Sequence, residues 1–192
     1  MRLQFVRSLV LTAIMLGLLG VIYPLAGWAL SQSAFHAQAN GSVGPNGSSL
    51  IGQPWNNGTS INPKWFNGRP DADNPLIVNG TSGESGAASL GPRSAALVAA
   101  VRALRAEWLA VGVKPTIDLV TTSGSGIDPD ISVLDARVQI PMIEKSRHLS
   151  AASLRALIAR ETHPAQFGFL GSSYINVLAL NEGLAQLVAH AK

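Results

Sequence analysis

The stretch Ser8 to Leu30 reads SLVLTAIMLGLLGVIYPLAGWAL, 23 residues without a charged side chain. A helix rises about 1.5 Å per residue, so roughly 20 apolar residues cross the ~30 Å hydrocarbon core of a bilayer. No other stretch of the 192-residue chain approaches that length. The sequence therefore predicts a short N-terminus at residues 1–7, a transmembrane helix at 8–30 and one domain at 31–192. Arg2 and Arg7 stand directly before the span, and the next Lys or Arg is Lys64. Basic charge beside a span stays cytoplasmic, which places residues 1–7 inside and 31–192 outside the cytoplasm. Tyr23 and Trp28 fall in the outer part of the span, where amphipathic rings favour the interface. Pro24 can end or kink the helix. Gly17, Gly20 and Gly27 leave room for another helix to approach. A cleaved signal peptide is the rival reading, but its apolar core runs only about 7–15 residues with a cleavage site close behind. The nearest A-x-A pattern here, Ala37-Gln38-Ala39, lies nine residues past Leu30.

Composition narrows the function classes. Without Arg2 and Arg7 the chain carries 12 basic and 11 acidic residues, a net charge of +1. The pI of 9.7 thus reflects few charges, not a basic patch. No Lys/Arg cluster with interleaved aromatics is present, which argues against a nucleic-acid partner. Charged residues make up 13% of the chain, about half the usual share, as expected where a partner or a bilayer covers surface. There is no cysteine, so disulfides, thiol catalysis and cysteine-ligated metal are excluded.

The external region divides by composition. Residues 31–92 are loop-rich, with Asn-Gly turn signals at 40–41, 46–47, 57–58, 67–68 and 79–80. Trp55, Trp65 and Phe66 punctuate this region, which predicts an ordered segment packed on a core. Residues 93–192 read as an α/β core. Leu97, Val101, Leu104 and Trp108 form one helical stripe between Arg93 and Val111. Thr116 to Thr122, TIDLVTT, is β-branched and alternating and predicts a strand. Ser132 and Asp135 form a capping box for a helix to about Gln139, which Pro141 interrupts. Ser150 caps a helix bearing Leu154, Leu157 and Ile158. Phe167 to Leu170 and Tyr174 to Leu178 are expected as strands or extended segments. Leu180, Leu184, Leu187 and Val188 mark a last helix. The fold class is one N-terminal transmembrane helix plus an α+β or α/β domain.

The densest candidate for chemistry is the loop Ser123-Gly124-Ser125-Gly126, followed by Asp128. Such a loop presents backbone N–H groups to an anion or simply makes a turn. It lacks the Lys-Ser/Thr ending of a P-loop and the G-x-S-x-G of a nucleophile elbow. Asp128 and Asp130 supply two hard ligands, whereas calcium needs six or more oxygens. His36, His148, His163 and His190 show no metal-ligand spacing. The residues alone thus leave a membrane-anchored domain without a metal site or catalytic set.

Several sequence blocks carry a resemblance. They are Ser49-Leu50-Ile51-Gly52-Gln53, Trp65-Phe66-Asn67-Gly68-Arg69-Pro70 and Ser85 to Pro92, which ends in Leu90-Gly91-Pro92. Val120 to Ser132 (VTTSGSGIDPDIS) follows. Gln139-Ile140-Pro141, Phe167-Gly168-Phe169-Leu170-Gly171 and Ile175-Asn176-Val177-Leu178 close the series. In this order and behind an Arg-flanked span, they resemble the C subunit of the Kdp-type potassium-transporting P-type ATPase over nearly the whole chain. The signature residues are Gly52, Gln53, Arg69, Pro70, Gly91, Pro92, Ser123, Gly124, Ser125, Gly126, Asp128, Pro129, Ser132, Gln139, Pro141, Gly168, Phe169, Leu170, Gly171 and Asn176. The chain departs from the family pattern at Asp130, where His is usual, at Ser89, where Asn is usual, and at Met142, where Arg is common.

The resemblance implies a non-catalytic accessory subunit in a bacterial plasma membrane. Its partners would be a potassium-channel-like subunit, an ATP-hydrolysing P-type subunit and the lipid bilayer. The role that the resemblance implies is a catalytic chaperone that raises the pump subunit's affinity for ATP. ATP is cytoplasmic, so a domain outside could act on it only through coupling across the assembly. The alternative is an anchored binding module for an ion or small ligand, using the loop Ser123, Gly124, Ser125, Gly126 and Asp128.

Overall fold

In the computed structural model, residues 2–55, 61–70 and 85–190 are described. The Asn-Gly pairs at 57–58 and 79–80 lie outside them. The chain forms two compact units, Met1–Val43 and Gly44–Lys192.

The first unit is dominated by helix α1, Arg2–Ala34, 33 residues with a mean hydropathy of 2.3 over its most apolar window. None of that window is buried against protein. Length and composition suffice to cross a membrane. Pro24 does not end the helix. Leu18–Ile22 instead adopts one wider π-type turn, in which the Tyr23 N–H donates to the Leu18 carbonyl five residues back. Proline clashes with the carbonyl four residues before it, and a local π turn is one way to relieve the ladder.

The second unit contains α2 (Ala95–Ala110), β1 (Asp130–Ser132), α3 (Val133–Val138), α4 (Ile140–Arg147), α5 (Ala151–Arg160), β2 (Thr162–His163), β3 (Tyr174–Asn176) and α6 (Val177–His190). The strands form an antiparallel sheet in the order β1-β3-β2, with Ile131 opposite Ile175 and His163 opposite Tyr174. The domain is therefore α+β rather than α/β. Both pairings of this sheet are antiparallel, and short connections suffice for antiparallel neighbours.

The core collects one stripe from each helix. Leu104 and Trp108 of α2, Ile143 of α4, Leu154 and Ile158 of α5, and Leu180 and Leu184 of α6 are almost wholly buried. Ile131 and Ile175 cover them from the sheet, and Phe66 enters from the loop-rich region. Trp108 also donates its indole N–H to the Leu119 carbonyl at 3.1 Å, so its polar edge is satisfied inside the core. At the end of α2, the Gly112 and Val113 N–H groups return to the carbonyls of Leu109 and Trp108, a Schellman closure.

The capping box forms as expected. Ser132 Oγ accepts from the Asp135 N–H, and the Asp135 carboxylate accepts from the Ser132 N–H. Gln139 ends α3 and begins α4, so Pro141 sits in the first turn of a new helix, where its missing N–H costs nothing. Ser150 caps α5 through the Ser153 N–H.

Two expected strands are corrected. Thr116 to Thr122 is not a strand. Asp118–Val120 forms a 3₁₀ turn in which the neighbours Leu119 and Val120 are both buried. The Val120 N–H closes that turn on the Ile117 carbonyl at 3.2 Å, in place of a bond to a neighbouring strand. Phe167 to Leu170 is a tight turn, with Gln166 and Leu170 exchanging both backbone hydrogen bonds at 2.9 Å. Tyr174–Asn176 is a strand, but Val177 and Leu178 already belong to α6.

Candidate functional site

The glycine loop lies where the sequence blocks meet. Inside the loop, Ser123 Oγ accepts the Gly126 N–H at 2.9 Å and lies 3.2 Å from Ser125 Oγ. Gly126 is buried at φ +72°, a left-handed conformation that a residue without Cβ adopts freely. Gly124 is exposed and has open space around it. Three distant segments then bind the loop. The Gly52 N–H donates to the Ile127 carbonyl at 2.7 Å, and the Gly86 N–H to the Ser125 carbonyl at 2.8 Å. Arg69 Nη2 donates to the carbonyls of Thr122 at 3.0 Å and Thr121 at 3.4 Å. A Cβ on Gly52 would stand 2.8 Å from the Asp128 carbonyl oxygen, so the close approach itself selects glycine there.

The acidic end of the loop is equally committed to structure. Asp128 Oδ1 accepts the Asp130 N–H at 3.1 Å, and Oδ2 lies 3.7 Å from Arg69 Nη1. The Pro129 carbonyl accepts the Val177 N–H at 2.9 Å, tying the loop to the start of α6. Asn176 Nδ2 bridges the Ser49 carbonyl at 2.9 Å and Asp130 Oδ1 at 3.0 Å. Burial pushes the Asp130 carboxyl above its ordinary value. The Asn176 hydrogen bond pulls it down, Asp128 pushes it up and His163 pulls it down. The cleft beside Arg69, Asp118, Asp128, Asp130 and Ser132 holds about 170 Å³. Clefts that enclose a small molecule run roughly 300–1,000 Å³. Among the described residues, no three acidic or histidine side chains converge as a metal site.

A second polar cluster fixes Trp65 to Gly68. Gln139 Oε1 accepts the Asn67 N–H at 2.8 Å, and its Nε2 donates to the Asn67 carbonyl at 2.9 Å. Asn181 repeats this pattern on Phe66, with both bonds at 2.9 Å. Two buried carboxamides therefore replace the partner strand that this backbone would otherwise need. Asn67 turns its own Nδ2 back to the carbonyls of Asn62 and Trp65. Asn67-Gly68 is thus an anchored extended segment rather than the turn expected there, whereas Gly41 and Gly47 do take positive φ as turn residues.

The other signature residues scatter around this frame. Pro70 is buried, and Gln53 donates to the Ser48 carbonyl at 2.9 Å. Gly91 and Pro92 make an exposed turn ahead of α2. Pro141 is exposed on α4. Gly168, Phe169, Leu170 and Gly171 form the exposed turn between β2 and β3. Asn181 is the residue that sequence reasoning missed. Its signal was an Asn on the buried stripe of α6, beside Leu180 and Leu184, where a polar group must find a partner.

The structure thus defines a chain with one N-terminal helix apolar enough to span a bilayer and a small α+β domain whose polar loop residues bind one another. The family model described as K+-transporting ATPase, c chain (KdpC), matches residues 5–186. The potassium-transporting ATPase KdpC subunit of Sorangium cellulosum is 40% identical over 92% of this chain and 94% of its own. That of Methylibium petroleiphilum is 43% identical over 91% and 92%, and that of Janthinobacterium sp. 38% over 97% and 100%. The chain belongs to the KdpC family and is an accessory subunit of a potassium-transporting ATPase.

Proposed function

We propose that this subunit assembles and regulates the pump, with residues 31–192 outside the cytoplasm and 1–7 inside. It pairs with a potassium-conducting subunit and an ATP-hydrolysing subunit, and it raises the latter's affinity for ATP without hydrolysing ATP itself. The observation that carries this reading is the loop knot. Gly52, Arg69, Gly86, Ser123 to Asp130 and Asn176 are cross-linked into one stiff body. A regulator without chemistry of its own acts by binding one state of its partner better than another, and a stiff body keeps that difference large. Arg2 and Arg7 before the span support the orientation.

Two experiments test the reading. The ATP dependence of the pump is measured with and without this subunit. Coupling energies between sites usually correspond to about 5–150-fold in affinity, so the apparent KM for ATP is expected to rise at least about fivefold without it. An unchanged KM would refute the regulatory role. For orientation, Ser172→Cys introduces a single thiol into a cysteine-free chain. It is expected to react with a membrane-impermeant reagent in intact spheroplasts. Reaction only after lysis would reverse the topology.

A further inference from the structure

The sequence shows no basic run, yet the fold gathers five unpaired cations on one helical surface. Val98, Arg102, Arg105 and Leu109 follow helical spacing on α2 and share one face. All four are exposed, while Leu104 and Trp108 turn into the core. The acid of this helix, Glu107, lies off that face and keeps its Oε2 out of solvent. Leu109 opens onto a cleft of about 590 Å³, lined also by Pro63 and by Pro141, Met142 and Lys145 of α4. Pro141 borders a second cleft of about 350 Å³, lined by Arg137 of α3, Glu144 of α4 and Arg155 of α5. Glu144 is the one acid that lines either cleft among the described residues. Arg102, Arg105, Arg137, Lys145 and Arg155 are all exposed. Among the described residues none of the five side chains joins an ion pair or a hydrogen bond. Apolar side chains stand between them in water: Val98 is 40%, Leu109 47% and Leu134, three residues before Arg137, 60% exposed.

We infer that this band rests on the anionic lipid headgroups of the bilayer that α1 spans, which goes beyond the regulatory role proposed above and does not depend on it. Each Lys or Arg beside an anionic leaflet strengthens attachment roughly fivefold. Apolar side chains set among the cations add contact with the acyl boundary. The chain supplies the proximity itself. Its N-terminal helix is long and apolar enough to cross a bilayer, and residues 35–43 that follow it reach at most about 30 Å. An attachment too weak to hold a free domain therefore suffices for a tethered one. The arrangement also favours lipid over an acidic protein. Five cations on four helices, fixed by no hydrogen bond, fit no single rigid set of carboxylates, whereas a fluid leaflet brings a phosphate to each. A protein partner instead rewards side chains held in place in advance.

The test uses the full-length chain in lipid nanodiscs. Ala152→Cys carries a fluorophore on α5 beside Arg155, and Ser172→Cys carries one ahead of β3 as reference; the chain has no other thiol. A nitroxide borne on lipid headgroups quenches whichever label approaches the leaflet. Discs of phosphatidylcholine alone are compared with discs holding about 30 mol % phosphatidylglycerol. Relative to the reference, quenching at position 152 is expected to rise at least about threefold with the anionic lipid. The gain should vanish at about 0.5 M salt, where charges act over only roughly 4 Å. Equal quenching in the two bilayers, or a gain that salt leaves intact, overturns the inference. With Arg102, Arg105, Arg137, Lys145 and Arg155 all changed to Gln, the chain is expected to melt normally and lose the gain, while Lys in place of each Arg keeps it. A gain that survives in the Gln variant overturns the inference too. If that variant does not fold, the lipid and salt comparisons on the otherwise unaltered chain still decide. Quenching in anionic discs that disappears once the pump subunits are present would assign the band to an acidic protein surface and refute the lipid contact.

Discussion

Asp130 shows what a carboxylate does at a half-buried strand edge. Its carboxyl is raised above the ordinary 3.8, chiefly by burial. Folding thus favours the neutral acid: the stability it supplies is present below the unfolded value and lost as pH rises through the folded one. At neutral pH the carboxylate is a cost. Asn keeps an oxygen for Asn176 without the charge, so Asp130→Asn is expected to melt higher than the wild type near pH 7. The gap should close as pH falls toward 4. A wild type that gains on the variant with rising pH would refute this. Two glycines make a contrasting pair. Gly52→Ala drives a Cβ to within 2.8 Å of the Asp128 carbonyl, whereas Gly124→Ala meets nothing within 4 Å. Forced overpacking costs about 1–3 kcal/mol, so Gly52→Ala should show that loss in denaturant melts and Gly124→Ala almost none. Equal losses would show that the contact at Gly52 does not set its identity.

At the scale of elements, the Phe66–Asn67 segment lies outside any helix or sheet, and its backbone is held by Gln139 and Asn181. Asn181→Leu keeps the branched shape, adds some volume, and strips the buried Phe66 N–H and carbonyl of their partner. Each unsatisfied group costs about 1–3 kcal/mol, and 1 kcal/mol is worth about 2–4 °C in a domain of this size. The variant is expected to lose roughly 5–20 °C, and a loss under about 2 °C would show that the backbone finds other partners. The helices were legible because their apolar stripes and caps are local: Leu104 and Trp108, Ser132 with Asp135, Ser150. The misread strand at 116–122 was not, because its alternation is real in sequence but Leu119 and Val120 turn inward together beneath Trp108. Asp135 helps to set that turn, since its carboxylate also accepts the Thr116 hydroxyl from a distant segment. Phe167 to Leu170 looked extended because nothing in its composition announces an aromatic at positive φ.

At the scale of the whole molecule, the blocks could be named in order from the sequence, but not their convergence. Hydrogen bonds from Gly52, Arg69, Gly86 and Asn176 to one loop join residues as far apart as Gly52 and Ile127, 127 − 52 = 75 positions, and spacing cannot encode that. The span poses the complementary question, since its sequence is fully visible while its partner is not. On an unbroken α-helix, Ala13, Gly17, Gly20, Pro24 and Gly27 follow 3–4 spacing and share one face. The π turn at Leu18–Ile22 adds about one residue to the winding, which swings Pro24 and Gly27 by roughly 100° from the first three. The helix therefore offers two small-residue patches on different sides, where close packing in lipid is favoured. If those patches seat against other helices, replacing residues 9–29 by leucine should preserve insertion but reduce recovery of the assembled pump. Pro24→Leu alone should reduce it partially, because it keeps the glycines but removes the cause of the π turn. If the span only tethers, both variants should assemble fully, and the helix would act by raising the domain's effective concentration beside its partners. Quantitative co-purification after mild detergent extraction separates the two cases. Full recovery of the all-leucine chain would end the packing argument, while loss in that chain with full recovery of Pro24→Leu would confine it to the small residues and dismiss the turn.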